Sequence, residues 1–350
     1  MSRNIKPEHS RERVNRAGHN VRSGSLTSED IDVIENWRAA HNKILNDWQS
    51  NLRNRCKKNK KITFAQRLKR RNTIFDKLTR QPEMQLSRMH DIAGCRLIFP
   101  DIASLHEYRN SLHESRMKHV LRKADEAPYP YDYMEHPHPD NSGYRGIHDV
   151  FKYCARPGRS QEWNNLLVEI QYRTSSQHAW ATAVEIAGHI TGNYSKFDQG
   201  DEQQKEFFRL TSEIIARAHE GMTSCYPTAT NREIIQRFTS LEQELHLLMR
   251  LKSLKIAGDL ENFTKQNVIL LLSNVEDERG QLTFTAYSYE YLPEATNKYF
   301  ELEKKYGEKY DIVLVRAPSK ESLMHAYKNY FSDSQDFDRL VIEGLELLKK

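Results

Sequence analysis

A run of alternating polar and apolar side chains, Val168 to Thr174, gives this sequence its strongest chemical signal. Alternation along a strand directs Glu169, Gln171 and Arg173 to one face of a sheet, while the residues between them face the other side. A carboxylate, an amide and a guanidinium in a row suit a divalent metal ion that carries polyphosphate. Such a strand alone is more often a solvated sheet face, so the interpretation depends on the residues upstream.

A basic segment upstream supplies cations at regular spacing. Lys69, Thr73 and Lys77 lie four residues apart, so a helix from about residue 64 to 78 would place two ammonium groups and a hydroxyl on one face. Phosphate oxygens bind such a stripe well, and Arg67 could bind phosphate bidentately or stack on a base. A basic surface helix without a ligand is the alternative.

Two glycine-containing motifs follow. In the first, Asp91 can coordinate a hard cation through oxygen, and Arg96 comes just after a glycine that permits close approach of a ligand. In the second, the ring of Tyr144 is flanked by glycines and can stack on a purine, with His148 nearby for polar contacts. Each motif alone also fits an ordinary strand entry or hairpin aromatic.

Composition narrows the class of protein. The chain has 350 residues and a formal net charge of +5, but the positive charge is concentrated: residues 51–80 contain twelve Lys or Arg and one acid, Asp76. That density indicates a phosphate-bearing partner. The four cysteines show no paired spacing, which argues against a disulfide framework or zinc ribbon and fits a reducing, cytoplasmic setting. No apolar run is long enough for a membrane span or signal peptide.

The elements that would position these residues predict an α+β fold with a mixed sheet flanked by helices. Strands are expected at residues 91–99, 146–153 and 166–173, and again at 268–272, 283–288 and 312–315. Helices are expected at residues 31–52, 64–78, 104–118, 175–190, 202–219, 231–254, 292–306 and 320–330. The predicted divisions are a flexible basic tail (1–24), a helical segment (25–60), a catalytic domain (61–225), a helical linker (226–261) and a small α/β accessory domain (262–350).

Taken in order, the motifs resemble the synthetase domain of the RelA/SpoT family. The matching set is the basic helix, Asp-x-x-Gly-x-Arg from Asp91, Gly-Tyr-Arg-x-x-His through Tyr144, Glu-x-Gln-x-Arg-Thr from Glu169, and the continuation Gln177 to Thr182. The resemblance covers residues 61–194. It implies the nucleotidyltransferase-like fold of that family and its reaction, the transfer of pyrophosphate from ATP to the 3′-hydroxyl of GDP or GTP.

The same resemblance implies roles for individual residues. Asp91 and Glu169 would bind Mg²⁺, and Glu169 is also the candidate base for the 3′-hydroxyl. The residues on the ATP side would be Arg67, Lys69, Thr73, Lys77 and Arg96. The residues on the acceptor side would be Tyr144, His148, Gln171, Arg173 and His178.

One difference from the family pattern concerns the identity of the acceptor. The family usually has a lysine three residues before the Gly-Tyr pair, whereas here the corresponding loop contains His138 and is about two residues longer. The cation expected near the acceptor phosphates would then be absent or would depend on pH. The His-Asp motifs of the hydrolase carried by long family members are also missing, which predicts a stand-alone synthetase.

The sequence is also compatible with other acceptors and with a function that is not catalytic. A toxic relative that pyrophosphorylates the 3′ end of tRNA would explain His138 and the basic segment. An adenine-nucleotide acceptor and a catalytically inactive nucleotide-binding regulator are further possibilities. The accessory domain could inhibit, sense a ligand or mediate assembly, and the leucine-rich helix at 231–254 would permit a homo-oligomer, although core packing explains its leucines equally simply.

Overall fold

The computed structural model describes residues 5–56, 61–122, 131–136, 141–191, 202–253, 256–259, 267–273, 282–306, 310–316 and 335–350. Within these residues the fold is α+β with a mixed sheet, as predicted. The first sheet contains the strands β1 (Thr63–Leu68), β2 (Ala93–Phe99), β3 (Val120–Leu121), β4 (Ile147–Lys152) and β5 (Leu167–Thr174). Their spatial order is β1-β2-β5-β4-β3, with β2 and β5 parallel and the other neighbours antiparallel.

Helices pack around this sheet and extend beyond it. Their bounds are α1 (Arg11–Arg22), α2 (Ser28–Cys56), α3 (Arg71–Arg80), α4 (Ile102–His113), α5 (Ser175–Thr191), α6 (Glu202–Glu220), α7 (Asn231–Leu245), α8 (Leu247–Ser253), α9 (Leu292–Tyr306) and α10 (Gln335–Leu348). Apolar residues of the central strands, such as Leu97 and Ile170, are fully buried beneath α2 and α4. The opposite face of the same strands carries the polar residues of the motifs.

The predicted helix at residues 64–78 is wrong in its first half. Residues Thr63–Leu68 form β1, which pairs with β2 over its whole length, and the helix begins only at Arg71. Pairing on the exposed edge of β2 satisfies the backbone of these residues and buries Phe64 and Leu68, which outweighs their local helical spacing. Lys69 therefore lies in the connection between β1 and α3, while Thr73 and Lys77 lie on α3.

The predicted flexible tail at residues 1–24 is also wrong where the structure describes it. Ser10 caps the helix α1 with its side chain, and Val14 and Ala17 are fully buried against the rest of the core. Gly18 lies close to Leu86, because a Cβ added to the glycine would be only 3.0 Å from the leucine Cβ. The basic residues of this helix thus surround a short apolar stripe that docks it.

A second sheet follows in the C-terminal part of the chain. It contains β6 (Ile256–Asp259), β7 (Asn267–Ser273), β8 (Leu282–Tyr289) and β9 (Tyr310–Arg316) in the order β6-β8-β7-β9, and α9 packs on it. The predicted strands at 268–272, 283–288 and 312–315 and the helix at 292–306 are confirmed. The helix predicted at 320–330 lies outside the described residues.

Two boundaries in this part differ from the sequence prediction. His246 adopts a left-handed conformation that divides the predicted helix 231–254 into α7 and α8. The last helix, α10, does not belong with the second sheet: it packs on α6, with Phe337 and Val341 fully buried there. The leucines of α7 and α8, including Leu247 and Leu251, join this helical core, which supports the packing interpretation. None of the described helices is both long and apolar enough to cross a membrane.

Candidate active site

Two of the lysines predicted for the ATP side gather around one carboxylate. Because β1 and β2 are antiparallel, the end of β1 lies beside the beginning of β2, and this brings Lys69 to Asp91. The Nζ atom of Lys69 is 2.8 Å from Oδ2 of Asp91, and Nζ of Lys77 is 3.1 Å from Oδ1. Lys69 is only 3% exposed, so this ion pair is largely shielded from water. Both ammonium groups converge on a single point at the edge of the sheet.

Strand register places the remaining motif residues in two rows on one sheet face. Directly paired residues share a face, so Arg67, Gly94 and Glu169 form one row across β1, β2 and β5. A Cβ added to Gly94 would meet the carbonyl oxygen of Arg67 at an ordinary 3.7 Å. The glycine therefore leaves room on the sheet face between a guanidinium and a carboxylate, which is where a ligand could lie.

The second row contains Arg96, Gln171 and His148 on β2, β5 and β4. This second row lies two residues further along β2 and β5 than the row of Glu169, on the same face of the sheet. The predicted donor-side arginine and two predicted acceptor-side residues thus share one surface. Pairing of the central strands brings together motifs that are far apart in the sequence.

Glu169 is the most heavily contacted carboxylate of this face. Its Oε1 atom is 3.2 Å from Nδ1 of His148 and 3.3 Å from Nε2 of His90, and its Oε2 atom accepts a 2.7 Å hydrogen bond from Gln171. The carboxylate is 3% exposed. Two imidazoles and an amide therefore fix its orientation at the centre of the sheet.

Tyr144, predicted for the acceptor side, contacts His148 and Arg173. The Tyr144 hydroxyl is 2.6 Å from Nε2 of His148 and accepts a 3.0 Å hydrogen bond from Nε of Arg173. The Arg173 guanidinium also lies over the tyrosine ring, 4.8 Å from its centroid. Gly146 has a φ of +152°, and an added Cβ would be 3.2 Å from both the Tyr144 hydroxyl and Cγ of Arg173. Glycine is thus required for this close approach.

The charges of the site are set by these contacts. Burial opposes ionisation of Asp91, but Lys69 and Lys77 outweigh it and hold the pKa of the carboxyl well below its usual range. Glu169 is likewise buried, and His148 and His90 lower its pKa well below the usual value. Both carboxylates are therefore ionised at neutral pH.

The pKa values of the two groups predicted for the acceptor side shift in different directions. Burial lowers the pKa of His148, but Tyr144 and Glu169 more than compensate and raise it to about 9. Burial also raises the pKa of Tyr144, whereas Arg173 and His148 lower it to a net value below the ordinary one. His148 thus carries a positive charge at neutral pH and, with Arg173, makes this side attractive to phosphate oxygens.

The oxygen donors of the site can be tested against Mg²⁺. The described part of the chain holds no group of three or more His, Cys, Asp or Glu side chains arranged for a metal ion. Mg²⁺ is usually held by only one or two carboxylates, together with substrate phosphates and water. Asp91 and Glu169, both ionised and close enough to influence each other's charge, fit that pattern.

The predicted residues are therefore distributed as follows. Lys69, Lys77 and Asp91 form one cluster, and Glu169, Gln171, His148, Tyr144 and Arg173 form a second. Thr73 lies on α3 one turn before Lys77, and His178 is buried at 2% exposure in the first turn of α5. His138 lies outside the described residues.

Sequence reasoning missed two residues of the second cluster. His90 contacts Glu169, and the ring of Tyr133 packs edge-on against Tyr144 at a centroid distance of 5.5 Å. A signal for His90 was present, since it immediately precedes Asp91. Tyr133 comes from a short segment between the motifs, and its position depends on a backbone hydrogen bond from its N–H to the carbonyl of Gly146.

Comparison with known proteins agrees with this arrangement. Residues 66–194 match the family model described as the region found in RelA / SpoT proteins. The chain therefore contains a RelA/SpoT-family region. This region begins within β1 and includes every cluster described above.

Relatives and solved structures extend the comparison. Uncharacterised proteins of Mycobacterium tuberculosis and Mycobacterium bovis are each 29% identical over 198 residues, which is 57% of this chain and 66% of theirs, just under two thirds of the relatives' own length. Small alarmone synthetase 1 from Bacillus subtilis is 21% identical, with coverage of 51% of this chain and 87% of that chain and a TM-score of 0.40. Small alarmone synthetase 2 from the same organism is 20% identical, with coverage of 51% and 90% and a TM-score of 0.41.

Proposed function

We propose that the RelA/SpoT region transfers a pyrophosphoryl group from ATP to the 3′-hydroxyl of GDP or GTP, forming ppGpp or pppGpp. The observation that carries this proposal is the position of Glu169, an ionised carboxylate in the middle of a sheet face with cations on both sides. Lys69 and Lys77 lie on one side with Asp91, and His148 and Arg173 lie on the other. Pyrophosphoryl transfer between two nucleotides that both carry polyphosphate is favoured by this distribution of charge.

The donor nucleotide would occupy the face near β1 and α3. Lys69 and Lys77 would exchange their pairing with Asp91 for contacts with the ATP phosphates, and Thr73 on the same helix face as Lys77 offers a hydroxyl. Arg67 and Arg96, in adjacent rows of the same sheet face, would hold the adenine between their guanidinium planes. The position of Gly94 beside Arg67 leaves space for a ligand there.

The acceptor nucleotide would occupy the face near β4. Arg173 covers one face of the Tyr144 ring, so a stacked guanine would take the other face. His148 and Arg173 would then face the acceptor phosphates as cations, while Gln171 holds Glu169 in place. His178 would support this side from within α5.

Asp91 and Glu169 would hold Mg²⁺, which when bound neutralises phosphate charge and orients the transferred group. In the reaction, the 3′-oxygen of the acceptor forms a bond to the β-phosphorus of ATP, and the bond from that phosphorus to the α,β-bridging oxygen breaks to release AMP. The hydroxyl proton would pass to Glu169, which is ionised and lies on this sheet face; its lowered pKa means that it accepts the proton with little driving force.

The test is to incubate the purified chain with γ-³²P-labelled ATP and Mg²⁺, with GDP, GTP, ATP or deacylated tRNA offered in separate reactions. We expect label on the guanine nucleotide and loss of transfer with EDTA. Label on tRNA alone or on an adenine nucleotide alone would overturn the proposed acceptor. No transfer to any of the four would contradict the reaction itself.

A pair of variants links that assay to the site. Glu169→Gln keeps the shape of the side chain but removes its charge, so we expect transfer to fall by about 10²-fold or more. Glu162→Gln makes the same change of charge on a partly exposed residue paired with Lys6, and should leave the rate unchanged. Equal rates for both variants would show that Glu169 is not in the site.

A further inference from the structure

A fully buried arginine joins the C-terminal part of the chain to the donor side. Arg38 of α2 donates from Nε to the carbonyl oxygen of Lys69 at 2.6 Å and from Nη2 to the hydroxyl of Tyr299 on α9 at 2.6 Å. Its Nη1 atom is 2.7 Å from the carboxylate of Glu303 and 3.0 Å from that of Glu35. One guanidinium thus contacts the backbone of a donor-side lysine and two side chains of α9 at once.

The carboxylate of Glu303 makes a second contact with the donor side. Its Oε1 atom accepts a 3.1 Å hydrogen bond from the backbone N–H of Arg71, the first residue of α3. The N-cap residue of that helix, Arg70, makes no side-chain capping hydrogen bond. A residue of α9 therefore does for α3 what a capping side chain normally does, satisfying a terminal N–H and placing negative charge at the helix N-terminus.

Both contacts end on the segment that carries the donor-side lysines. The Lys69 N–H donates to the carbonyl of Ile92 at 2.8 Å, so the backbone of Lys69 is held by β2 on one side and by Arg38 on the other. The helix capped by Glu303 carries Lys77, whose ammonium meets that of Lys69 at Asp91. Displacement of α9 would remove two partners that orient Arg38 on the Lys69 carbonyl and would also leave the first N–H of α3 without Glu303.

We propose that Arg38 and Glu303 are positioning residues of the donor site, through which the C-terminal unit (β6 to β9 with α9) sets how tightly the chain binds ATP. The proposal rests on the proposed function in one respect, that Lys69 and Lys77 bind the ATP phosphates. Neither residue touches substrate: Arg38 acts through the carbonyl of Lys69, and Glu303 acts through α3. The C-terminal unit thereby affects the affinity for ATP, although none of its described side chains contacts the substrate.

A merely structural role must be separated from positioning. The matched control is Asn42→Ala, which removes the 3.3 Å hydrogen bond from Asn42 to Thr296 between the same two helices but away from the connection between β1 and α3. The test variants are Glu303→Ala and Glu303→Gln, of which the second keeps an oxygen that can accept from Arg71. Tyr299→Phe serves as a milder variant, since it removes only the hydroxyl that accepts from Arg38.

The measurements are the dissociation constant of a non-hydrolysable ATP analogue, the separate KM values for ATP and acceptor, and hydrogen exchange at the amides of α3. For Glu303→Ala we expect analogue binding to weaken and the KM for ATP to rise, each about 10-fold, with the acceptor KM unchanged and faster exchange at residues 71–74. Glu303→Gln should lie between this variant and the wild type, and Asn42→Ala should match the wild type.

The outcomes distinguish this inference from the proposed function. Analogue binding that is equal in the wild type, Glu303→Ala and Glu303→Gln would overturn the positioning role, as would an equal effect of Asn42→Ala. If Glu303→Ala does not fold, the same comparison is made with Glu303→Gln and Tyr299→Phe. Analogue binding by a wild type that transfers no label would contradict the proposed reaction but leave the positioning test intact. No analogue binding by the wild type would overturn both.

Discussion

The Lys69 ammonium and the Asp91 carboxylate form a buried ion pair with an Nζ–Oδ2 distance of 2.8 Å. Lys69 comes just after β1 and Asp91 just before β2, and the antiparallel pairing of these strands places the two residues side by side. A buried pair of opposite charges is stable only while both partners are present. Before ATP binds, Asp91 thus compensates the cations that we propose bind its phosphates.

This pairing gives the first prediction. Lys69→Met preserves the length of the side chain but removes a charge proposed to bind phosphate, so we expect kcat/KM for ATP to fall by about 10²-fold. The measurement is initial rates at varied ATP with saturating acceptor. Lys61→Met, at an exposed position just before β1, is the matched control and should retain the wild-type value. Equal losses in the two variants would argue for a general effect of basic charge.

A second prediction concerns the acceptor side. Tyr144→Phe keeps the ring for stacking but removes the hydroxyl that contacts His148 and Arg173. We expect kcat/KM for the guanine acceptor to fall about 10-fold, while the KM for ATP stays unchanged. Tyr287→Phe, on the distant strand β8 and 42% exposed, controls for loss of a tyrosine hydroxyl. A larger change in the KM for ATP than in kcat/KM for the acceptor would contradict the proposed position of Tyr144 beside the acceptor.

The sequence was sufficient to predict the central strands β2, β4 and β5 and the shared face of the motif residues on β5. Alternation in residues 166–173 predicts β5 correctly, and it places Glu169, Gln171 and Arg173 together because side chains of a strand repeat every two residues. The apolar residues between them are nearly all buried, which leaves that strand only one possible register. Local pattern was informative here because polar and apolar residues alternate with the two-residue period of a strand.

The predictions that failed depended on contacts distant in sequence. Residues 63–68 have helix-compatible spacing, and only the free edge of β2 makes them a strand. Val14 and Ala17 of α1 lie between charged residues in the sequence, so the local pattern did not indicate a buried helix. Packing of these two side chains on the core stabilises it. The cap on α3 comes from Glu303, more than 200 residues away. No local pattern carries information of that kind.

A third prediction concerns stability at acidic pH. His41 of α2 is 1% exposed, and burial lowers its pKa from 6.5 to about 4, with Arg11 acting in the same direction and a contact to the Trp37 carbonyl opposing it. Below about pH 6.5 the unfolded chain binds a proton that the folded chain does not, so stability is full above that pH and falls towards pH 4. The loss is roughly 3 kcal/mol over this range.

The experiment for His41 compares urea unfolding of the wild type and His41→Gln at several pH values between 4 and 7.5. We expect the variant to lose less free energy of unfolding on acidification, whatever its stability at neutral pH, because glutamine does not titrate. His9→Gln changes a partly exposed histidine and should preserve the wild-type pH dependence. Parallel curves for the wild type and His41→Gln would show that another group causes the acid sensitivity.

The last prediction follows from the position of α10. Phe337 is fully buried against α6, near the ring of Phe208, and the Nε2 atom of His219 on α6 is 2.8 Å from the Leu340 carbonyl. Phe337→Ala should therefore lower the free energy of unfolding by about 3–5 kcal/mol, as expected for a large cavity in a core. Leu347→Ala, at 45% exposure on the same helix, should change it by less than about 0.5 kcal/mol.

Denaturant unfolding followed by tryptophan fluorescence checks this, because Trp180 packs beside Phe208 in the same helical core. A lower unfolding midpoint with Phe337→Ala would show that α10 stabilises the half of the chain that carries the candidate site, and an unchanged midpoint would contradict it. The contribution of α10 to stability matters for any truncation that is meant to test the C-terminal unit. Truncation after Leu254 removes α10 together with the second sheet. A loss of activity would then follow from exposure of the helical core that α10 covers. Only changes at the Arg38–Glu303 contact, with α10 retained, address control of the donor site.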